Sequence, residues 1–116
     1  MEIKISSIGD KGNLTNERIG FVALKNCQLK YYVVFKTNKT QNGFENKSDA
    51  SFWFLPQEVK ENDQIVLYTK KGQNSVIENS NGTKTFFFFW GLNKPIFENE
   101  NNKIVLINAT TWRMNE

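Results

Sequence analysis

The chain has no histidine and one cysteine, Cys27, among its 116 residues. Lacking histidine, it lacks the commonest general base and the commonest transition-metal ligand. Ser-His-Asp and Cys-His catalysis and His-containing zinc sites are thereby excluded within one chain. A lone cysteine makes no internal disulfide, which fits a reducing compartment. Cys27 closes the apolar run RIGFVALKNC and reads as a small, partly buried side chain rather than a reactive thiol. Arginine is scarce, with Arg18 and Arg113 set against thirteen lysines. The basic residues are dispersed, and Lys70-Lys71 is their only adjacent pair. Base readout favours arginine and affinity favours clustering, so nucleic-acid binding is not expected. No run of about 18 apolar residues occurs, so neither a transmembrane helix nor a membrane partner is expected. The N-terminal stretch MEIKISSIGDKGN holds no apolar region of about 7–15 residues and no small-residue cleavage site. A cytoplasmic location is the expectation, with a secreted form whose signal has been removed as the alternative. Gly9-x-x-Gly12 and Gly72 lack a following Lys-Ser/Thr and a helix, so neither reads as a phosphate loop.

Hydrophobic residues make up 39% and charged residues 23%, a balance that folds rather than stays disordered. The length fits one domain, residues 1–116, large enough to bury a core without disulfides or metal. The net charge of +3 reflects a small lysine excess and no histidine. Asparagine occurs sixteen times and isoleucine nine times, the mark of an AT-rich coding sequence such as that of a low-GC bacterium. Five Asn-x-Ser/Thr triplets, starting at Asn13, Asn38, Asn46, Asn81 and Asn108, are expected by chance at that asparagine content.

Short β-type runs alternate with polar Asn/Gly/Lys-rich stretches. EIKISSI (2–8) places Ile3, Ile5 and Ile8 inward. RIGFVALKNC (18–27) sets Ile19, Phe21 and Ala23 against Val22 and Leu24. KYYVVFKTN (30–38), SFWFL (51–55), QIVLYTKK (64–71), KTFFFFWG (84–91) and KIVLINA (103–109) complete the set. KTQNGFENKSDA reads as a long loop or irregular hairpin, Asn62-Asp63 as a turn, and Asn81-Gly82 as a hairpin turn. No window of about 11 residues keeps a helical period. About seven short strands with turn signals between them predict an all-β sandwich or barrel.

A half-solvated strand needs one apolar face, and several strands here have two. Phe86, Phe88 and Trp90 oppose Phe87 and Phe89. Phe52 and Phe54 oppose Trp53 and Leu55; Tyr31, Val33 and Phe35 oppose Tyr32 and Val34; Ile65 and Leu67 oppose Val66 and Tyr68. One set fills the core. The other is covered by the 36–51 and 91–102 loops, or it forms a binding surface or a homodimer interface. The candidate surface is Trp53, Tyr68, Phe87, Phe89, Trp90 and Trp112, because Trp and Tyr dominate interface energetics. The alternative is a small-ligand site in which Trp53, Trp90 or Trp112 stacks on a sugar. No catalytic residue, cofactor or metal site is expected. Glu98-x-Glu100 offers oxygen ligands but not the spacing of a calcium loop.

Four segments in order resemble the lamin-tail family over residues 17–112: ERIGFVALKNCQLKYYVVF, FWFLPQEVKENDQIVLYTKKG, TKTFFFFWGLNKPIF and KIVLINATTW. The FWFLPQEVKENDQIVLYTKKG segment is similar to that family's unit of strand, Pro, polar turn and apolar strand, with Asn62-Asp63 where many members carry Gly-Asp. The resemblance implies an immunoglobulin-like β-sandwich and a non-catalytic adaptor that contacts a protein partner or associates with itself. Family members often sit beside an enzyme domain or a coiled coil; here a domain acting without either is the expectation, which puts a tethering role in doubt.

Overall fold

The computed structural model describes residues 1–45 and 48–115. Among them are eleven strands and no α-helix. In chain order they are β1 (Ile3–Gly9), β2 (Arg18–Ala23), β3 (Cys27–Gln28), β4 (Tyr32–Thr40), β5 (Gly43–Phe44) and β6 (Ala50–Trp53). Then follow β7 (Glu58–Val59), β8 (Gln64–Tyr68), β9 (Ser75–Glu78), β10 (Lys84–Phe89) and β11 (Asn102–Asn108). A single 3-10 turn, Leu29–Tyr31, leads into β4. The fold is all-β. The strand count exceeds the expected seven because β3, β5 and β7 are two-residue pieces that carry no periodicity. The fourth addition, β9, lies in the stretch before Asn81-Gly82.

One sheet has five strands in the order β1-β2-β8-β10-β9. Its pairs are antiparallel except β8 with β10, which run parallel from Gln64↔Thr85 to Tyr68↔Phe89. β9 and β10 form the hairpin that Asn81-Gly82 predicts, with Gly82 at φ 87°. β10 therefore sits between β8 and β9, and the chain must pass its end to reach β9. The other large sheet is built on β4, with β11 on one edge and β6 and β5 on the other. β3 and β7 make a two-stranded piece.

The two large sheets share one core. From the five-stranded sheet come Ile3, Ile19, Phe21, Ala23, Ile65, Leu67, Phe86 and Phe88; from the β4 sheet come Tyr32 and Val34, with Phe54 beyond β6. The aromatic members meet edge to face: Phe21–Phe54 at 5.7 Å, Phe54–Phe88 at 5.2 Å and Phe52–Phe54 at 5.2 Å between centroids. Such contacts suit ring quadrupoles and add to the area buried. A register shift in β1 between Ile5 and Ser7 explains how Ile3 and Ile8 both turn inward, although a regular strand would put them on opposite faces. Ile5 shares that side but lies on an edge strand and stays exposed.

Two buried carboxylates fasten the loops. Glu17 is fully buried and accepts hydrogen bonds from the Ile96 N–H (2.7 Å), the Phe97 N–H (3.2 Å), the Gly12 N–H (2.8 Å) and the Thr69 hydroxyl (2.6 Å). It draws the 91–97 segment into the end of the core, where Ile96 and Phe97 are buried. That segment therefore does not cover an outer sheet face, contrary to the sequence expectation. Asp63 accepts from the Lys60 and Lys84 N–H groups at 2.8 and 2.9 Å, tying the Asn62-Asp63 turn to the start of β10. The 36–51 stretch is not a covering loop either. β4 continues through it to Thr40, β5 pairs back on β4, and β6 begins at Ala50. Asn46 and Lys47 lie outside the described residues, as does Glu116.

Candidate functional site

The outer face of the β4 sheet carries Val33, Trp53 and Ile107 in one cross-strand row, and Phe35 and Val105 in the next. The 3-10 turn buries Leu29 and turns Tyr31 outward beside that row. The Trp53 indole N–H donates to the Lys30 carbonyl at 2.6 Å, which fixes the ring's orientation. After β11, the Ala109 N–H donates to the Tyr31 carbonyl at 2.6 Å and leads the chain back past this end of the sheet. Trp112 then meets Trp53 edge-on, with centroids 5.0 Å apart and planes at 80°.

The result is an open cleft of about 480 Å³. Its wall is Tyr31, Trp53, Leu55, Pro56, Trp112 and Met114. Trp53 is 44% exposed and Trp112 53% exposed. Burial of such rings on a partner is worth about 25 cal/mol per Å² of apolar area, so they are poised to contribute strongly to binding. Among the described residues Lys30 supplies the only charged side chain lining the cleft, its Nζ lying 5.2 Å from the Tyr31 ring centroid.

The six residues singled out from the sequence fall in three places. Trp53 and Trp112 are together in this cleft. Tyr68, Phe87 and Phe89 form a half-buried stack on the outer face of the five-stranded sheet. There Tyr68 lies 5.3 Å from Phe89 at 11° and 6.4 Å from Phe87 at 27°. Lys70 Nζ caps the stack 5.1 Å from the Tyr68 centroid. The link from β8 to β9 lies against it, since a Cβ at Gly72 would overlap the Phe89 ring. Trp90 belongs to neither surface. It is half-buried against the core, 6.0 Å from Phe52.

Leu55, two residues beyond Trp53, is exposed like it, whereas Tyr31 is turned outward by the 3-10 turn rather than by strand alternation. Pro56 and Met114 join the cleft through chain path alone, and no periodic signal marks them. Cys27 is half-buried opposite Val59, and burial, with a smaller contribution from the charge of Glu2, pushes its thiol up to about 11. It is therefore a protonated thiol at neutral pH. Glu98 lies 3.9 Å from Lys94, and its loop is closed by Asn102 Oδ1, which accepts from the Glu98 and Asn99 N–H groups. No group of three His, Cys, Asp or Glu side chains placed to hold a metal ion occurs among the described residues. No helix among them is long and apolar enough to cross a membrane. No family model, curated protein or solved structure matches this chain.

Proposed function

We propose that this chain is a non-catalytic binding module that takes up a protein partner at the Trp53–Trp112 cleft. In this reading it is an immunoglobulin-like β-sandwich akin to the lamin-tail domains and serves as an adaptor in the cytoplasm. One observation carries the proposal. Tyr31, Trp53, Leu55, Trp112 and Met114 are each exposed, and they line one concave surface. Contiguous exposed apolar surface of this kind marks interaction sites. The architecture is compatible, since two sheets share one core, although the parallel β8–β10 pair departs from a purely antiparallel sandwich. Catalysis has no advocate in the chain, which lacks histidine and holds its only thiol protonated.

The carbohydrate alternative has weaker support. Indoles standing at 80° give no flat platform for a sugar ring, and among the described residues the polar side-chain groups at the wall are Lys30, the Tyr31 hydroxyl and the two indole N–H groups, of which that of Trp53 is already taken by the Lys30 carbonyl. The test is capture of partners from source-cell lysate, after nuclease treatment, by wild-type protein and by Trp112→Ala. The expected result is one stoichiometric protein partner that the variant loses while its melting temperature stays within a few degrees. Recovery of bait alone, or equal recovery by the variant, contradicts the reading.

A further inference from the structure

Lys36 is placed unusually for a lysine. It follows Tyr32 and Val34 on the inward face of β4, between Ala50 of β6 and Ile104 of β11. Its side chain is only 9% exposed. The stem is buried, but Nζ itself keeps contact with solvent, since among the described residues no buried side-chain nitrogen or oxygen lacks a partner. Its nearest acid is Asp49, whose Oδ2 lies 3.7 Å from Nζ, beyond hydrogen-bond length, on a side chain that is itself 67% exposed. Among the described residues no side-chain or backbone oxygen hydrogen-bonds to Nζ. Lys36 and Asp49 instead border a cavity of about 370 Å³ whose other walls include Ala50, Leu92, Pro95 and Ile96. Lys94 stands at its rim.

We infer that this cavity is a binding site for a small organic carboxylate, with Lys36 as its charge anchor and Ala50, Leu92 and Pro95 as the wall for its apolar body. The lining sets the charged Lys36, Asp49 and Lys94 and the polar Asn93 against an apolar side of Ala50, Leu92 and Pro95, so a cation and an apolar wall face the same space. The volume lies at the lower end of the roughly 300–1,000 Å³ typical of small-molecule sites. A carboxylate entering the cavity would give Nζ the close charge-assisted hydrogen bonds that Asp49 does not. Neither arginine lines the cavity, so the bidentate fork that favours phosphate is missing. Asp49 is then a rival for the same ammonium, held off by its solvent exposure. This site is separate from the Trp53–Trp112 cleft, and neither proposal depends on the other.

The test is titration of isotope-labelled protein with hexanoate and benzoate, followed by backbone amide shifts, with hexanamide and benzamide as neutral counterparts. The expected result is saturable shifts at Lys36, Ala50, Leu92 and Ile96 with the acids and none with the amides. Lys36→Met keeps the chain's length and should weaken binding by about tenfold or more. Asp49→Asn removes the rival and should tighten binding several-fold. Because Asp49 is exposed, that variant keeps the test alive if Lys36→Met fails to fold. Shifts that do not saturate, equal shifts from the amides, or unchanged or weaker affinity in Asp49→Asn would overturn the assignment.

Discussion

Glu17 shows how much one residue can hold. Its carboxylate receives four donors from three separate stretches of chain, residues 12, 69 and 96–97, with no solvent contact. Glu17→Gln keeps the shape but turns an NH2 group towards N–H donors. Leaving buried donors unmet costs about 1–3 kcal/mol, and more when the lost acceptor was charged. We expect a loss of at least that size in urea-melt stability, and an unchanged midpoint would contradict the role. Nothing in the sequence marks Glu17, because its partners lie up to 80 residues away. Lys36 was legible in principle, since alternation puts it in phase with Tyr32 and Val34, but a lysine in a loop-like polar stretch reads as solvated. Cys27 carries a pH prediction. Its thiol is raised from 9.0 to about 11, so the native state keeps a proton that the unfolded chain releases between those values. Stability from this group is therefore whole below pH 9 and lost as pH rises towards 11. Alkylation of the native protein by iodoacetamide should accelerate with a midpoint near 11, and a midpoint near 9 would show an ordinary exposed thiol.

At the scale of elements, turn chemistry was the most legible signal. Asn62 has φ 73°, in the left-handed region, and its N–H donates to the Ala23 carbonyl at 2.8 Å. That region costs most side chains about 1–2 kcal/mol and costs glycine nothing. Asn62→Gly should therefore leave the thermal midpoint nearly unchanged, while Asn62→Val should destabilise by about 1–2 kcal/mol or more, β-branching adding to the strain. Equal effects from both would remove the backbone explanation. The Asn81-Gly82 turn also implied a strand on each side, yet Ser75–Glu78 is short, and all four of its residues are exposed. With no buried face it shows no alternation, so β9 is visible only through its partner β10. The expected inward placement of both Ile3 and Ile8 needs the β1 register shift, because strict alternation sets them on opposite faces and nothing in the sequence marks the shift itself.

At the scale of the molecule, the sequence paired the faces correctly but could not say which was inward. Phe86 and Phe88 against Phe87 and Phe89 is a symmetric pattern. The direction is set by neighbours across the sheet. Gly20 lies opposite Val66 and Ser7 on the outer face of β2, which leaves Ile19, Phe21 and Ala23 to fill the core beside Ile65 and Leu67. The parallel β8–β10 pair was beyond reach because it follows from the chain's path past the end of β10, not from either strand's composition. That same path lays Gly72 on Phe89 and partly shields the Tyr68–Phe89 stack. On the outer face of the β4 sheet the aromatic surplus stays open at Trp53 and Trp112, 44% and 53% exposed. The most direct measurement places a photo-activated cross-linking amino acid at position 112, and in a separate protein at position 87, in source cells. The account predicts one protein adduct from position 112 and none from position 87. Adducts from position 87 alone, or from neither, would contradict the cleft as the binding surface.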